Sequence, residues 1–82
     1  MIAVHYFARY REQLGLSQET IEWQPELSTL AALRDYLLTR GEAWQVLADT
    51  GLMCARNQEL CDLNEPLCAG DEVAFFPTVT GG

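Results

Sequence analysis

The hydrophobic pattern begins with a strict alternation. Over Met1–Phe7, Ile2, Val4 and Tyr6 share one face and Ala3, His5 and Phe7 the other, which predicts a strand with the first set toward the core. Ala8 to Leu14 is helix-compatible and stops at Gly15, a residue suited to a helix C-terminal cap. Ser17–Trp23 reads as a second strand, Thr20 and Glu22 alternating with Ile21 and Trp23. The short connection lets it return antiparallel to the first as an edge. Pro25 and Glu26 break it. Ser28 is the expected N-cap of the main helix, whose stripe is Leu30, Leu33, Leu37 and Leu38, with Arg34, Asp35 and Thr39 on a solvated face and Arg40-Gly41 as its end. A shorter helical piece over Glu42–Ala48 carries Trp44 and Leu47, with Trp44 closing one end of the core.

Three further strands complete the pattern. Leu52–Arg56 is followed by an Asn57-Gln58 turn and a very short strand around Leu60-Cys61. Pro66-Leu67 and the Gly70-Asp71 turn then lead into Val73-Ala74-Phe75-Phe76. Pro77 lacks a backbone donor and is expected to end sheet pairing. The order predicts an α+β roll: a mixed sheet of about five strands with one main helix packed on one face. With the last strand beside the first at the centre, Val73 and Phe75 face the helix. Ala74 and Phe76 then share the open face with Ala3, His5 and Phe7.

Composition narrows the partners. The chain has 82 residues, enough for one domain that buries about 60% of its unfolded surface without staples. It carries 12 acidic and 5 basic residues, a net charge of -7, and every basic residue is an arginine. That balance argues against nucleic acid or an anionic membrane as the main partner and favours a basic protein surface. No apolar run approaches membrane-spanning length, and the first residues lack the layout of a signal peptide, so a cytoplasmic location is expected. Cys54, Cys61 and Cys68 are odd in number and form no C-x-x-C pair; with His5 as the one histidine they make a poor metal set. Reduced, partly buried thiols are expected, and no metal. His5 has no cysteine or carboxylate beside it in sequence and is read as an ordinary strand histidine.

The chemistry is expected at the end of the chain. Beyond Pro77, the β-branched Thr78, Val79 and Thr80 favour an extended backbone, and Gly81-Gly82 offers no side chain to obstruct passage. Residues 1–77 therefore read as the folded domain and 78–82 as a tail. Such an ending fits a frayed terminus, or a carrier whose Gly82 carboxylate is adenylated with ATP and passed to a nucleophile. At the root of the tail, Phe7 and Phe76 form a predicted exposed aromatic patch, extended by Leu60 and rimmed by Arg11.

Tyr6-Phe7-Ala8-Arg9-Tyr10-Arg11-Glu12 with Gly15, Leu67-x-x-Gly70-Asp71-Glu72-Val73-Ala74-Phe75-Phe76-Pro77, and the Gly81-Gly82 ending together resemble the small subunit of molybdopterin synthase over essentially the whole chain. Thr78 stands where many members of that family carry a second proline. The resemblance implies a ubiquitin-like β-grasp fold and a sulfur carrier without catalytic residues of its own. A ubiquitin-activating-like enzyme adenylates Gly82, and a sulfur donor converts it to a thiocarboxylate. The tail (Gly81, Thr80 and Val79) enters the large synthase subunit within a heterotetramer, where two such sulfurs turn cyclic pyranopterin monophosphate into molybdopterin. ATP belongs to the activating enzyme, and this chain is expected to bind no cofactor. Two alternatives remain open: a carrier for thiamine thiazole or cysteine synthesis, and a ubiquitin-like docking module without tail chemistry.

Overall fold

The computed structural model describes residues 1–78. Its elements are β1 (Ile2–Tyr6), α1 (Ala8–Leu14), β2 (Gln18–Ile21), a 3₁₀ turn at Pro25–Leu27, α2 (Leu30–Leu38), a 3₁₀ segment at Glu42–Ala48, β3 (Leu52–Arg56), β4 (Glu59–Cys61) and β5 (Glu72–Pro77). They form one mixed sheet in the order β2-β1-β5-β3-β4. β1 and β5 run parallel at its centre, Val4 opposite Val73 and Tyr6 opposite Phe75, and every other neighbouring pair is antiparallel.

The alternation along β1 and β5 fixes which face is covered. Ile2, Val4, Val73 and Phe75 have no solvent exposure, and Tyr6 only 1%. They pack with Leu30, Leu33 and Leu37 of α2 in a single core that also takes in Tyr10, Ile21, Leu47, Cys54 and Leu67. Each of these side chains removes apolar area from water at about 25 cal/mol per Å². Trp44 meets the Tyr6 ring edge-on at 5.7 Å, closing one end of the core as its position suggests.

Where pattern and structure differ, local hydrogen bonding decides. The N-cap of α2 is Thr29, not Ser28: its hydroxyl accepts from the Ala32 N–H at 3.1 Å, while Ser28 is absorbed at the end of the Pro25–Leu27 turn. The helix ends at Leu38 with Thr39 as its cap, two residues ahead of Gly41. β2 stops at Ile21 because it pairs only as far as Ile2, the first residue of β1, which leaves Trp23 outside the sheet to donate to the Leu67 carbonyl. Gly15 caps α1 as expected, in the left-handed region at φ 74°. The Asn57-Gln58 turn has positive φ at both residues (51° and 70°), the combination that matches the twist of a tight hairpin. Cys54 is buried and Cys61 half-buried, but Cys68 is exposed. Burial first, and Cys61 opposite it second, push the Cys54 thiol up to about 12, so it is a packed apolar group.

A polar cluster fastens the entry to β5. Asp71 accepts from Arg56 Nε at 2.7 Å, from the Cys68 N–H at 2.7 Å and from Asn57 Nδ2 at 3.2 Å. Arg56 also reaches Glu65 at 3.2 Å. The Arg56 bond is the main reason that the Asp71 carboxyl titrates below its ordinary range, with the Cys68 and Asn57 donors adding to it.

Phe75→Ala is expected to destabilise the fold by about 3–5 kcal/mol in denaturant unfolding, because it empties the centre of the core. Because the folded Asp71 carboxyl binds its proton less readily than the unfolded one, its stabilisation is complete above about pH 4 and fades as pH falls through the depressed folded value. Asp71→Asn should therefore flatten the acid limb of a stability–pH curve and leave its slope near neutrality unchanged.

Candidate functional site

The uncovered face of the sheet carries the residues singled out at the root of the tail. Pairing register places Leu60, Ala55, Ala74, His5 and Gln18 in one row across the five strands. Met53 and Phe76 form the next row. Phe7 stands at the end of β1 beside it, its N–H donating to the Phe75 carbonyl at 3.2 Å. Ala8 then takes a left-handed φ of 55°, uncommon for a residue with a Cβ, and turns the chain sharply into α1. Phe7 is thus left pointing away from the core.

Exposure follows this geometry. Phe7 is 47% exposed, Met53 36% and Leu60 69%, while Phe76 is half-buried. Small residues at Ala3, Ala55 and Ala74 keep the middle of the face low. A shallow depression lies there, lined by His5, Phe7, Ala55, Gln58, Glu72 and Ala74. The His5 and Phe7 rings are near-parallel at 6.3 Å, and His5 Nε2 lies 3.3 Å from a Glu72 oxygen. Glu72, two residues from the register partner of His5, is the neighbour that sequence spacing could not reveal.

Arg11 is one helical turn beyond Phe7, and its N–H donates to the Phe7 carbonyl at 3.4 Å. The other four arginines each pair with a carboxylate: Arg9 with Asp49, Arg34 with Asp35, Arg40 with Glu19, and Arg56 with Asp71 and Glu65. Arg11 forms no salt bridge among the described residues. The patch of Phe7, Phe76 and Leu60 is therefore brought together on one face, with Arg11 close to Phe7.

The end of β5 departs from expectation. Pairing does not finish at Pro77, which sits opposite Leu52; Thr78 still donates its N–H to the Gly51 carbonyl at 2.9 Å, and its hydroxyl donates to the same oxygen. The first residue assigned to the tail is thus attached to the sheet. Val79, Thr80, Gly81 and Gly82 lie outside the described residues.

Behind Gly51 stands Asp49, which sequence reading missed. Its carboxylate accepts from the Gly51 N–H at 3.1 Å, from the Tyr10 hydroxyl at 3.1 Å and from the Arg9 guanidinium. The Gly51 N–H foremost, then the Tyr10 hydroxyl, hold the Asp49 carboxyl below its usual range. Burial, reinforced by that carboxylate, pushes the Tyr10 hydroxyl up to about 12. The Asp-Thr-Gly run at 49–51 marks a turn, but Arg9 and Tyr10 are forty residues away in sequence and leave no local signal.

Among the described residues no group of three or more His, Cys, Asp or Glu side chains could hold a metal ion. No described helix is long and apolar enough to cross a membrane. What the described residues present is an apolar sheet face and a C-terminal strand, β5, that runs to its edge.

A five-stranded roll of this order, with one helix across one face and an apolar patch on the other, defines a protein of the ubiquitin-like β-grasp class. The chain belongs to the ThiS family, whose sequence model matches residues 4–82. It is 41% identical, over the full length of both chains, to the molybdopterin synthase sulfur carrier subunit of Escherichia coli (strain K12). Among solved structures it is similar to SAMP1 from Haloferax volcanii, with a TM-score of 0.81, 26% identity and coverage of 99% of this chain and 98% of that one. It is also similar to a chain in the complex of subunits 1 and 2 of molybdopterin-converting factor from Helicobacter pylori 26695, with a TM-score of 0.67, 27% identity and coverage of 99% and 97%.

Phe7 and Leu60 are exposed and outside the core, so Phe7→Ala and Leu60→Ala should each change unfolding free energy by no more than about 0.5 kcal/mol. A loss several times larger in either variant, measured by denaturant titration, would mean that the patch is structural.

Proposed function

We propose that this chain is a sulfur-carrier subunit of molybdopterin synthase. The observation that carries the reading is full-length identity of 41% to a subunit of that name, in a chain that ends Gly81-Gly82. The sheet face adds a physical reason. A domain that presents an apolar patch and no acid–base constellation of its own among the described residues is suited to deliver a reactant to another protein's active site.

In the proposed cycle the Gly82 carboxylate attacks the α-phosphorus of ATP on a ubiquitin-activating-like enzyme, giving the acyl-adenylate and releasing pyrophosphate. A sulfur nucleophile then displaces AMP. When the sulfur arrives as a persulfide, a second thiol attacks the donor-side sulfur of the resulting acyl disulfide, releasing the thiocarboxylate on Gly82 and leaving the donor and that thiol joined as a disulfide. A thiocarboxylate is a softer nucleophile than a carboxylate, and attachment to a folded domain raises its effective concentration at the acceptor. The acceptor is the pyranopterin held by the large subunit, which supplies the catalytic residues; Val79, Thr80 and Gly81 give the reach.

The large subunit is the proposed partner of the Phe7, Phe76 and Leu60 patch, with Arg11 meeting a carboxylate at its rim. The similarity to a chain in the complex of subunits 1 and 2 from Helicobacter pylori supports a large-subunit partner. Two carriers flanking a pair of large subunits make the proposed heterotetramer, in the cytoplasm. ATP is consumed on the activating enzyme, and this chain binds no cofactor.

Incubating the full chain with ATP, the adenylating enzyme and a sulfur donor should replace one oxygen by sulfur in the intact-protein mass, and deleting Gly82 should abolish the change. An unchanged mass, with the enzyme active on another carrier, would contradict the reading. Phe76→Ala should weaken binding to the large subunit by about tenfold or more, as loss of a central aromatic anchor does, with the melting transition preserved.

A further inference from the structure

We propose that Asp49, Gly51 and Thr78 form a clasp that fixes where the C-terminal segment leaves the sheet, making Asp49 and Thr78 positioning residues for the chemistry at Gly82. The inference rests on the carrier reading and adds to it a device built from residues outside the Gly-Gly ending.

The clasp is the outermost rung of the β3–β5 ladder. Pro77, opposite Leu52, is a non-hydrogen-bonded position toward β3, lying between the Met53–Phe76 rung and the Gly51–Thr78 one. The next tie outward comes from Thr78 alone, which directs both its N–H and its hydroxyl at the Gly51 carbonyl oxygen. That carbonyl is itself held in place. The Gly51 N–H donates to the Asp49 carboxylate at 3.1 Å, and the Leu52 N–H donates to the Asp49 carbonyl at 3.1 Å. The carboxylate is anchored in turn by Arg9 and by Tyr10, whose side chain is fully buried. A continuous chain of bonds therefore runs from α1 through Asp49 and Gly51 to the last described residue.

The approach is also close. A Cβ on Gly51 would lie 3.2 Å from the Thr78 hydroxyl oxygen, a tight contact, so glycine is what lets the Thr78 hydroxyl come this close. Thr78 is exposed and contributes nothing to the core, and its two bonds serve no buried apolar contact.

The clasp bears on reach. Four residues lie beyond Thr78, which extend at most about 14 Å. With the clasp open, the next β3–β5 rung inward is Met53–Phe76, so Pro77 and Thr78 together lengthen the chain beyond the last rung by about 7 Å. A longer tether spreads the same end group over a larger volume and lowers its effective concentration at a fixed site. The sheet face that docks is unchanged by this. The loss should fall on turnover rather than on recognition.

Full-length Thr78→Val, which removes the hydroxyl at nearly constant shape, and Thr78→Ser, which keeps it, test the clasp by steady-state kinetics of ATP-dependent activation. Thr78→Val should lower kcat about fivefold, the factor that corresponds to one hydrogen bond, with KM and melting temperature unchanged, and Thr78→Ser should restore kcat. Wild-type kcat in Thr78→Val, or a Ser variant as slow as the Val variant, would overturn the proposal. A wild-type chain that the enzyme does not activate would instead contradict the carrier reading. Amide exchange then decides the clasp by itself: Thr78 N–H should be protected in the wild type and exchange faster in Asp49→Asn, whereas exchange at the rate of an unstructured peptide in the wild type overturns it.

Discussion

The parallel pairing of β1 with β5 is the constraint on which the rest depends. It brings the first and last strands of the chain together at the centre of the sheet, with Val4 against Val73 and Tyr6 against Phe75. A C-terminal strand is ordinarily a candidate for fraying. Here β5 is flanked on both edges and buries Val73 and Phe75 completely, so the residues that follow leave from a central strand of the sheet. That arrangement suits the proposed role, in which the end of the chain reaches into another protein.

Polar groups secure what burial alone leaves loose. Glu19, on the core side of edge strand β2, accepts from the Tyr6 hydroxyl at 2.8 Å and is met by Arg40 at 2.8 and 3.0 Å, while Arg40 lies 4.7 Å over the Trp44 ring. Burial and the Glu19 carboxylate both raise the Tyr6 hydroxyl, keeping it neutral and able to donate. Asp71 plays the corresponding part at the start of β5 and Asp49 at its end. The acidic excess is thus partly internal: several carboxylates are occupied in tying strands to helices.

Much of this was legible in the residues. Alternation at Ile2–Tyr6 and Val73–Phe76 gave the sheet faces, because a period of two leaves no freedom once one face is apolar. Gly15 revealed the end of α1 because a left-handed cap favours glycine strongly. Ser28 and Thr29 are both capable caps, and only the 3₁₀ turn at Pro25–Leu27 selects the second. Pairing at Thr78 was hidden for another reason: Pro77 signals a stop, and the glycine that accepts beyond it belongs to a different strand's approach. The roles of Asp49 and Glu19 depend on partners far away in sequence, which local patterning does not encode. The patch itself was legible, since Phe7 and Phe76 occupy outward positions of neighbouring strands.

In the proposed cycle sulfur leaves from the end of this chain and reaches a pterin. The most direct measurement uses the full chain with a chemically installed C-terminal thiocarboxylate, mixed with the large synthase subunit and cyclic pyranopterin monophosphate, and follows molybdopterin formation. Product is expected without ATP or activating enzyme, with two carrier chains returned to the carboxylate form for each molybdopterin made. No product, with a large subunit active toward another carrier, would contradict it.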